Sequence, residues 1–438
     1  MLSTSPSTPS QNVAPPFRDL VEESFEEAAF LWRRWENELA SLTRNLDEVW
    51  SWTEDRLHGA LDGVRVGGAS TLDLAKDALA TDEIDKIAVS TAVLGSSTEP
   101  GAVDVMTTRL TDATGAKLDA MIRGLELLGS DQALRAAAAV LGSSDPVLAS
   151  ALCRLKMFRR VVPRDELAGA FSSKMPAAQI EALRAARLIT SGAADEWIAS
   201  ALQGEDAAVR YAAVESGVCL RMAHAWDAAM RFAGQRDPQA GPYLKLLALF
   251  GTAAEHEIVF GALRIPGLQP AAIWALAHIG TERAVEACLA GMKHEPLARA
   301  CGEAYCWMTG ADLNRDRLAI DETPADAPAL EDDDLDANLV PAPEALWPLP
   351  DPDAVRKHWL KRGADWGASV RHVLGRPVTG DVLLDTIERG PMLRRPDLVL
   401  ELRVKTRGRY DVETRAFTSR QRQMMAAGRN AVSGQGGR

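Results

Sequence analysis

The feature that most constrains the fold is a helix-stop signal that recurs along the middle of the chain. Helical segments end repeatedly in an apolar pair followed by glycine or a small polar residue, as in LELLGSD, LALFGT and LAHIGT. Glycine in this place is typical of a helix end that needs a left-handed residue. The stops fall at Gly95, Gly129, near Arg160, at Gly192, near Arg221, and at Gly251, Gly280 and Gly310. Their spacing of about 30 residues is the period of a helix–turn–helix repeat.

A single repeat shows why the unit must recur. The segment GTAAEHEIVFGALRIPGLQPAAIWALAHIG holds two apolar helices joined by a turn, and Pro270 suits the first turn of the second helix. One such pair cannot bury both of its apolar faces, so neighbouring pairs must stack. With 47% hydrophobic but only 5% aromatic residues, the chain has the small side chains that closely packed helices use. The sequence therefore predicts an all-α fold, an α-solenoid of about seven to eight helix pairs.

The flanking sequences differ from the repeats in composition. The first residues are rich in Ser, Thr and Pro, and the stretch DETPADAPALEDDDLDANLV has eight acidic residues and no basic one. Such segments bury too little apolar surface to fold. The predicted divisions are a disordered leader at 1–16, an N-terminal helical cap at 17–66, the solenoid at 67–320, an acidic Pro-rich linker at 321–350, a C-terminal helical module at 351–425 and a disordered tail at 426–438. We expect four short helices at the start of the C-terminal module.

Charge limits the classes of partner. The net charge of -12 argues against a general nucleic-acid coat, because phosphate binding needs a surplus of Lys and Arg. Residues 393–438 are the exception, with eleven Lys or Arg against four Asp or Glu. This basic stretch either folds back on the acidic linker or solenoid, or contacts an anionic partner. It lacks interleaved aromatic residues, so we expect no specific nucleic-acid recognition.

The location of the protein is inferred from what the sequence lacks. The N-terminal segment has neither a basic region nor an apolar core typical of a signal peptide, and no run of 18 apolar residues is present. The five cysteines are an odd number scattered through alanine-rich helical sequence, which fits a reducing compartment. We expect a cytoplasmic protein without membrane insertion.

Two resemblances follow from particular segments. PAAIWALAHIGTERAVEACLAGM resembles the bacterial HEAT-like repeats related to the phycobilisome lyases, which implies a HEAT-like solenoid. The chain as a whole resembles an uncharacterised bacterial family encoded near type VI secretion genes. The matching segments are LVEESFEEAAFLW, RLHGALDGVRVGG, WPLPDPDAVRKHWL and RHVLGRPVT. That family has a His where this chain has Ser24, so no role of that His is transferred. The resemblance implies a link to type VI secretion.

No motif of catalysis or cofactor binding stands out. The sequence contains no phosphate loop, dinucleotide fingerprint or nucleophile elbow. His256, His278 and His294 lie in adjacent repeats, and Cys301 precedes Cys306 by five positions, but no Cys-x-x-Cys or His-Glu-x-x-His pattern fixes a metal geometry. The acidic run near the start of the first helix is interpreted as a solvated face. We therefore predict no catalytic residue, no cofactor and no metal site.

The candidate site residues are sites of partner contact. Trp32 and Trp35 flank Arg33 and Arg34, and aromatic residues with Arg are enriched at binding hot spots, although core packing is the simpler interpretation of the tryptophans. The basic stretch supplies the second set, which consists of Arg403, Lys405, Arg407 and Arg409.

These observations favour a non-catalytic protein–protein interaction scaffold, adaptor or chaperone. The resemblance implies a protein partner such as a type VI secretion component or effector. Two alternatives remain: a HEAT-repeat enzyme or enzyme subunit of lyase-like type, and an immunity protein against a secreted toxin. The sequence does not determine the partner, the loaded surface of the solenoid or the oligomeric state.

Overall fold

The computed structural model describes residues 18–142, 145–161, 164–188, 192–320, 347–362 and 366–433. These residues are almost entirely helical, which confirms the predicted all-α class. The predicted leader at 1–16 and most of the acidic linker lie outside the described residues. Among the described helices none alone has the length and apolarity to cross a membrane, and one pair, Ala253–Ala262 with Pro266–Ile279, reaches that threshold only jointly and is bent by 118°.

The chain divides into two compact units. The first comprises the described residues up to Leu39, with Asp47–Glu181 and Arg415–Thr418. The second comprises Ala40–Leu46, Ala182–Thr414 and the residues from Ser419 onward. These units differ from the divisions predicted from composition, because helices of the C-terminal module share a unit with the later repeats.

The first unit begins with a long helix and continues as stacked pairs. Its helices are α1 (Arg18–Glu38), α2 (Leu46–Val49), α3 (Asp55–Val66), α4 (Ala69–Ala78), α5 (Ile84–Ser96), α6 (Ala102–Asp112), α7 (Gly115–Leu128), α8 (Asp131–Leu141), α9 (Pro146–Phe158) and α10 (Arg164–Ser172), and α11 (Pro176–Ala186) contains the boundary. One π-helical turn, Trp50–Glu54, joins α2 to α3. Helix α5 packs on α7 and α7 on α9, while α6 packs on α8, so alternate helices form two layers.

The second unit repeats this arrangement. Its helices are α12 (Gly192–Ala201), α13 (Ala207–Cys219), α14 (Ala223–Ala233), α15 (Gly241–Phe250), α16 (Ala253–Ala262), α17 (Gln269–Ile279), α18 (Glu282–Gly291), α19 (Glu295–Thr309), α20 (Pro352–Arg362), α21 (Gly380–Arg389), α22 (Arg395–Lys405) and α23 (Thr418–Ser433). Helices α13, α15, α17 and α19 pack on one another in order and form the inner layer, with α14, α16 and α18 between them in sequence. Such two-layer packing is consistent with a helical-repeat solenoid.

The predicted stops are helix ends in most cases. Gly129 and Gly251 are the C-caps of α7 and α15, and Gly280 and Gly310 take left-handed conformations after α17 and α19. Arg160 and Arg221 have positive φ at the corresponding turns. Gly95 lies within the last turn of α5. The stop predicted at Gly192 is wrong, because Gly192 is the first residue of α12.

A β-hairpin with strands of two residues each lies where the sequence predicts one of the four short helices of the C-terminal module. Strands β1 (His372–Val373) and β2 (Arg376–Pro377) pair antiparallel around Leu374 and Gly375, both with positive φ, as a tight hairpin turn requires. The hairpin amides of His372 and Leu374 donate to the carbonyls of Gly280 (2.9 Å) and Trp307 (2.7 Å). The hairpin thus satisfies carbonyls at the ends of α17 and α19 that have no partner within their own helices.

The C-terminal helix is longer than predicted. Helix α23 runs to Ser433, so the predicted tail boundary at 426 falls inside a helix. Its first residue, Thr418, is held by the buried carboxylate of Glu54, which accepts from the Thr418 amide (2.8 and 3.0 Å) and hydroxyl (2.8 Å). A carboxylate at a helix N-terminus satisfies free amides and interacts favourably with the helix dipole. Hydrogen bonding there stabilises the start of α23.

Candidate functional site

The two tryptophans of the first candidate set belong to the core. Trp32 and Trp35 are 2% and 0% exposed, and the Trp35 indole donates to Glu54 at 2.8 Å. The adjacent arginines lie outward, where Arg33 is 3.9 Å from Asp85 and Arg34 pairs with Glu38 at 3.0 Å. The core interpretation of the tryptophans therefore fits their position, and partner contact through these rings would need an exposure that they lack.

The basic candidate set makes most of its described contacts within its own stretch of the chain. Arg403 pairs with Asp411 and also donates to the carbonyl of Arg187 (3.3 Å), and Lys405 contacts Glu401 (2.5 Å). Arg407 has a positive φ after α22, and Arg409 donates to the carbonyl of Thr406 (2.9 Å). The contact of Arg403 with Arg187 reaches the repeats, whereas the contacts with Asp411, Glu401 and Thr406 lie within the basic stretch itself.

A buried polar network fixes α22 on the inner layer. Asp397, 6% exposed, lies 2.9 Å from the ammonium of Lys245 on α15. It also accepts from the indole of Trp274 (2.9 Å) and lies 3.0 Å from His278 Nε2, both on α17. Burial alone would raise the pKa of Asp397, but the hydrogen bond from His278 and the charge of Lys245 hold it far below its ordinary value. The carboxylate is therefore ionised at neutral pH.

The histidine in this network is neutral. Burial, together with the charges of Arg394 and Arg371, holds the pKa of His278 below its ordinary value despite the opposing effect of Asp397. The geometry fits the tautomer with the proton on Nε2, because that nitrogen faces the carboxylate oxygen of Asp397. His278 therefore acts as a neutral donor that positions Asp397.

Arg394 extends the network to α19. Its guanidinium forms an ion pair with Glu303, lies 3.8 Å over the ring of Trp274 and donates to the Trp274 carbonyl at 3.1 Å. Helix α22 and the turn before it therefore contact α15, α17 and α19 through charged side chains, and α22 also packs on α13.

Next to this network a groove with a volume of about 920 Å³ opens along one edge of the second unit. It lies where α13, α15 and α17 end and α14, α16 and α18 begin, and the last turn of α22 forms another part of its wall. The groove contains half-buried aromatic rings and several aliphatic side chains. These apolar groups are Val218, Met222, Trp226, Phe250, Phe260 and Ile279.

The charged groups of the groove are mostly cationic. Four cations and one carboxylate line it, namely Arg221, Arg283, Arg371, Lys405 and Glu257. Arg283 lies 3.9 Å over the ring of Phe260 and pairs with Glu257 (2.9 Å). Arg371 and Lys405 share the buried Glu401. In the described part of the chain Arg221 has no ion-pair partner, and burial lowers the pKa of His256, which keeps that ring neutral at pH 7.

Sequence reasoning identified one groove residue, Lys405, and missed the rest. The available signal was the position of the helix stops, because the groove follows the turns LRMA, LFGT and HIGT that mark successive repeats. Among the described residues no group of three or more His, Cys, Asp or Glu side chains is placed to hold a metal ion.

Comparisons with known proteins identify no family. No family model matches the sequence, and no curated protein matches it. A solved structure titled "Crystal Structure of Engineered Protein" aligns with 14% sequence identity over 68% of this chain and 90% of its own length. Its TM-score of 0.27 is too low to support an argument about the fold.

Proposed function

We propose that the chain is a non-catalytic interaction scaffold of HEAT-like repeats, and that the groove of its second unit binds a segment of a partner protein. The observation that carries this proposal is the composition of the groove, where Trp226, Phe250 and Phe260 lie beside arginines at the turns of successive repeats. Aromatic residues and Arg are the types most enriched at binding hot spots. The partner class implied by the resemblance is a type VI secretion component or effector.

The shape of the groove supports a chain segment as its ligand. Its volume of about 920 Å³ lies at the upper end of the range for small-molecule pockets, and it runs past three successive inner helices. A repeat protein offers an extended surface of this kind, on which a peptide meets equivalent positions of consecutive repeats. The same groove in an enzyme would be expected to contain convergent acid, base or nucleophile groups.

Site-specific photo-crosslinking tests the proposal. Trp226 is replaced by benzoylphenylalanine in the full chain, expressed in the native cells, and the products of irradiation are compared with those from the same substitution at Phe30. Phe30 is a suitable control because it is 54% exposed on α1 in the other unit. We expect one discrete crosslinked protein from position 226 and none from position 30. Equal products from both positions, or none from position 226, would count against a partner site in the groove.

A further inference from the structure

The groove is more basic than the chain that contains it, and this contrast points to the chemistry of its ligand. The chain has a net charge of -12, whereas the groove contains four cations and one carboxylate. Counting the buried Glu401 beneath Arg371 and Lys405 still leaves two positive charges in excess. Positive potential concentrated in a cleft raises the local concentration of anionic ligands.

The helix directions add to this potential. Ala223 and Ala253 are the first residues of α14 and α16, Arg283 is the second of α18, and all three line the groove. The N-terminal ends of three helices therefore meet the same cleft, each with a partial positive charge. The α14 and α18 termini have no side-chain cap, while Thr252 and Glu255 already cap α16. Amides at α14 and α18 are thus available to carboxylate oxygens.

The apolar surface between the cations favours a ligand that carries apolar groups as well as negative charge. Phe250, Phe260 and Trp226 are half-buried, and Arg283 covers one face of the Phe260 ring. A segment that inserts apolar side chains here gains by removing this surface from water, and its acidic side chains reach the cations at the rim. Nucleic acid fits less well, because a chain with this overall charge repels a long polyanion outside the groove.

We propose that the groove binds acidic segments of a partner protein in which Asp or Glu residues alternate with aromatic or aliphatic ones. The proposal rests on the interaction function given above and adds the class of ligand. Arg221 and Arg283 contribute the rim charge, and Trp226 and Phe260 contribute the apolar contact.

The test is a titration of the full chain with labelled probes, followed by fluorescence anisotropy. The first probe is a fifteen-residue synthetic peptide of alternating Glu, Asp, Leu and Phe, the second replaces every acidic residue by Lys, and the third is a single-stranded DNA oligonucleotide. We expect the acidic peptide to bind at least about tenfold more tightly than the Lys peptide, with affinity that falls as salt rises. Equal binding of both peptides, or tighter binding of the oligonucleotide, would overturn the proposal.

Charge-reversal variants locate the site. Arg221→Glu and Arg283→Glu are each expected to weaken binding of the acidic peptide about tenfold. Arg236→Glu is the matched control, because Arg236 is an exposed arginine of the same unit outside the groove. Circular dichroism and melting temperature confirm that each variant is folded. If both groove variants bind like wild type, the proposal is wrong.

One further variant separates an internal occupant from a partner. Replacing Glu331, Asp332, Asp333 and Asp334 by Ser removes acidic groups from the chain's own linker. If the acidic peptide binds only after this change, the linker itself is the ligand of the groove and the proposal of an external partner fails. A protein crosslinked at position 226, together with no binding of the acidic peptide, would leave the interaction function intact and reject the charge class alone.

Discussion

The two units bury carboxyl groups in different ways. In the first, Glu54 is fully buried, and the Trp35 indole and the amide and hydroxyl of Thr418 donate hydrogen bonds to it. In the second, Asp397 is held by the ammonium of Lys245 together with two neutral donors. At the second site a charged partner is involved, so removing one member of the pair leaves the charge of the other without compensation. At the first site, the three hydrogen bonds to Glu54 come from neutral groups, so losing one of them costs the desolvation of a buried donor or acceptor.

The largest expected effect is that of removing the carboxylate of the second unit. Asp397→Ala leaves the half-buried Lys245 without the carboxylate that it contacts, and leaves the Trp274 indole and His278 without an acceptor. We expect a loss of about 3 to 5 kcal/mol in the free energy of unfolding, measured by urea denaturation. Hydrogen exchange should increase in α15, α17 and α22.

Helices α5 and α7 of the first unit provide the internal control for this variant. The two helices approach closely at Gly124, where a Cβ would lie 2.5 Å from the carbonyl oxygen of Ala88. Because Asp397 and its partners belong to the second unit, hydrogen exchange in α5 and α7 should stay unchanged. Uniformly faster exchange in both units would show that Asp397 stabilises the whole chain and not the second unit alone.

A smaller effect is expected from Glu54→Gln in the first unit. The amide group of Gln presents a donor to a site where Trp35 and Thr418 already donate, so one hydrogen bond is lost and the rest are weakened. We expect a loss of about 1 to 3 kcal/mol, measured in the same urea experiment.

Glu23→Gln is the control for Glu54→Gln, because it makes the same chemical change at an exposed residue of α1 in the same unit. We expect it to change the free energy of unfolding by less than about 0.5 kcal/mol. A loss from Glu54→Gln that exceeds the loss from Asp397→Ala would reverse the proposed order of the two sites.

The last effect concerns pH. Burial holds the pKa of His278 below its ordinary value of 6.5, so the folded state binds this proton less readily than the unfolded state. The contribution of neutral His278 to the free energy of unfolding is fully present above pH 6.5. It falls as the pH drops from 6.5 toward the folded pKa, at up to about 1.4 kcal/mol per pH unit. His58, His256 and His358 have lowered pKa values too and contribute in the same direction.

Glutamine variants separate these contributions. His278→Gln should reduce the slope of unfolding free energy between pH 7 and pH 5 more than His58→Gln does, because His278 is fully buried and the His58 side chain is 30% exposed. Urea denaturation at several pH values measures both slopes. Equal slopes for wild type and His278→Gln would contradict the assignment of a neutral buried histidine.

The sequence predicts the helices of the repeats better than the C-terminal hairpin and helices that pack on them. Helix stops depend on local chemistry, so Gly251, Gly280 and Gly310 could be recognised from the residues beside them. The prediction of a helix end at Gly192 was wrong because the sequence SGA is also compatible with the start of a helix. The hairpin was missed because Leu374 adopts a positive φ, which a β-propensity pattern does not indicate for leucine.

The site depends on contacts that local patterns cannot show. His278 and Asp397 are 119 residues apart in sequence, and Trp274 and Asp397 are 123 apart. Each of these residues alone is compatible with a surface or a core position. The tryptophan pair illustrates the same limit, because its spacing fits both a binding surface and the buried position that the structure gives it.

The placement of Arg415–Thr418 in the first unit has a consequence for biosynthesis. Glu54 leaves the ribosome early, but the amide that it binds belongs to Thr418, 364 residues later. Domains commonly fold in order from the N-terminus as they emerge. Here the polar contacts of Glu54 stay incomplete until Thr418 has been synthesised, so a chain that stalls before residue 415 lacks a part of its first unit.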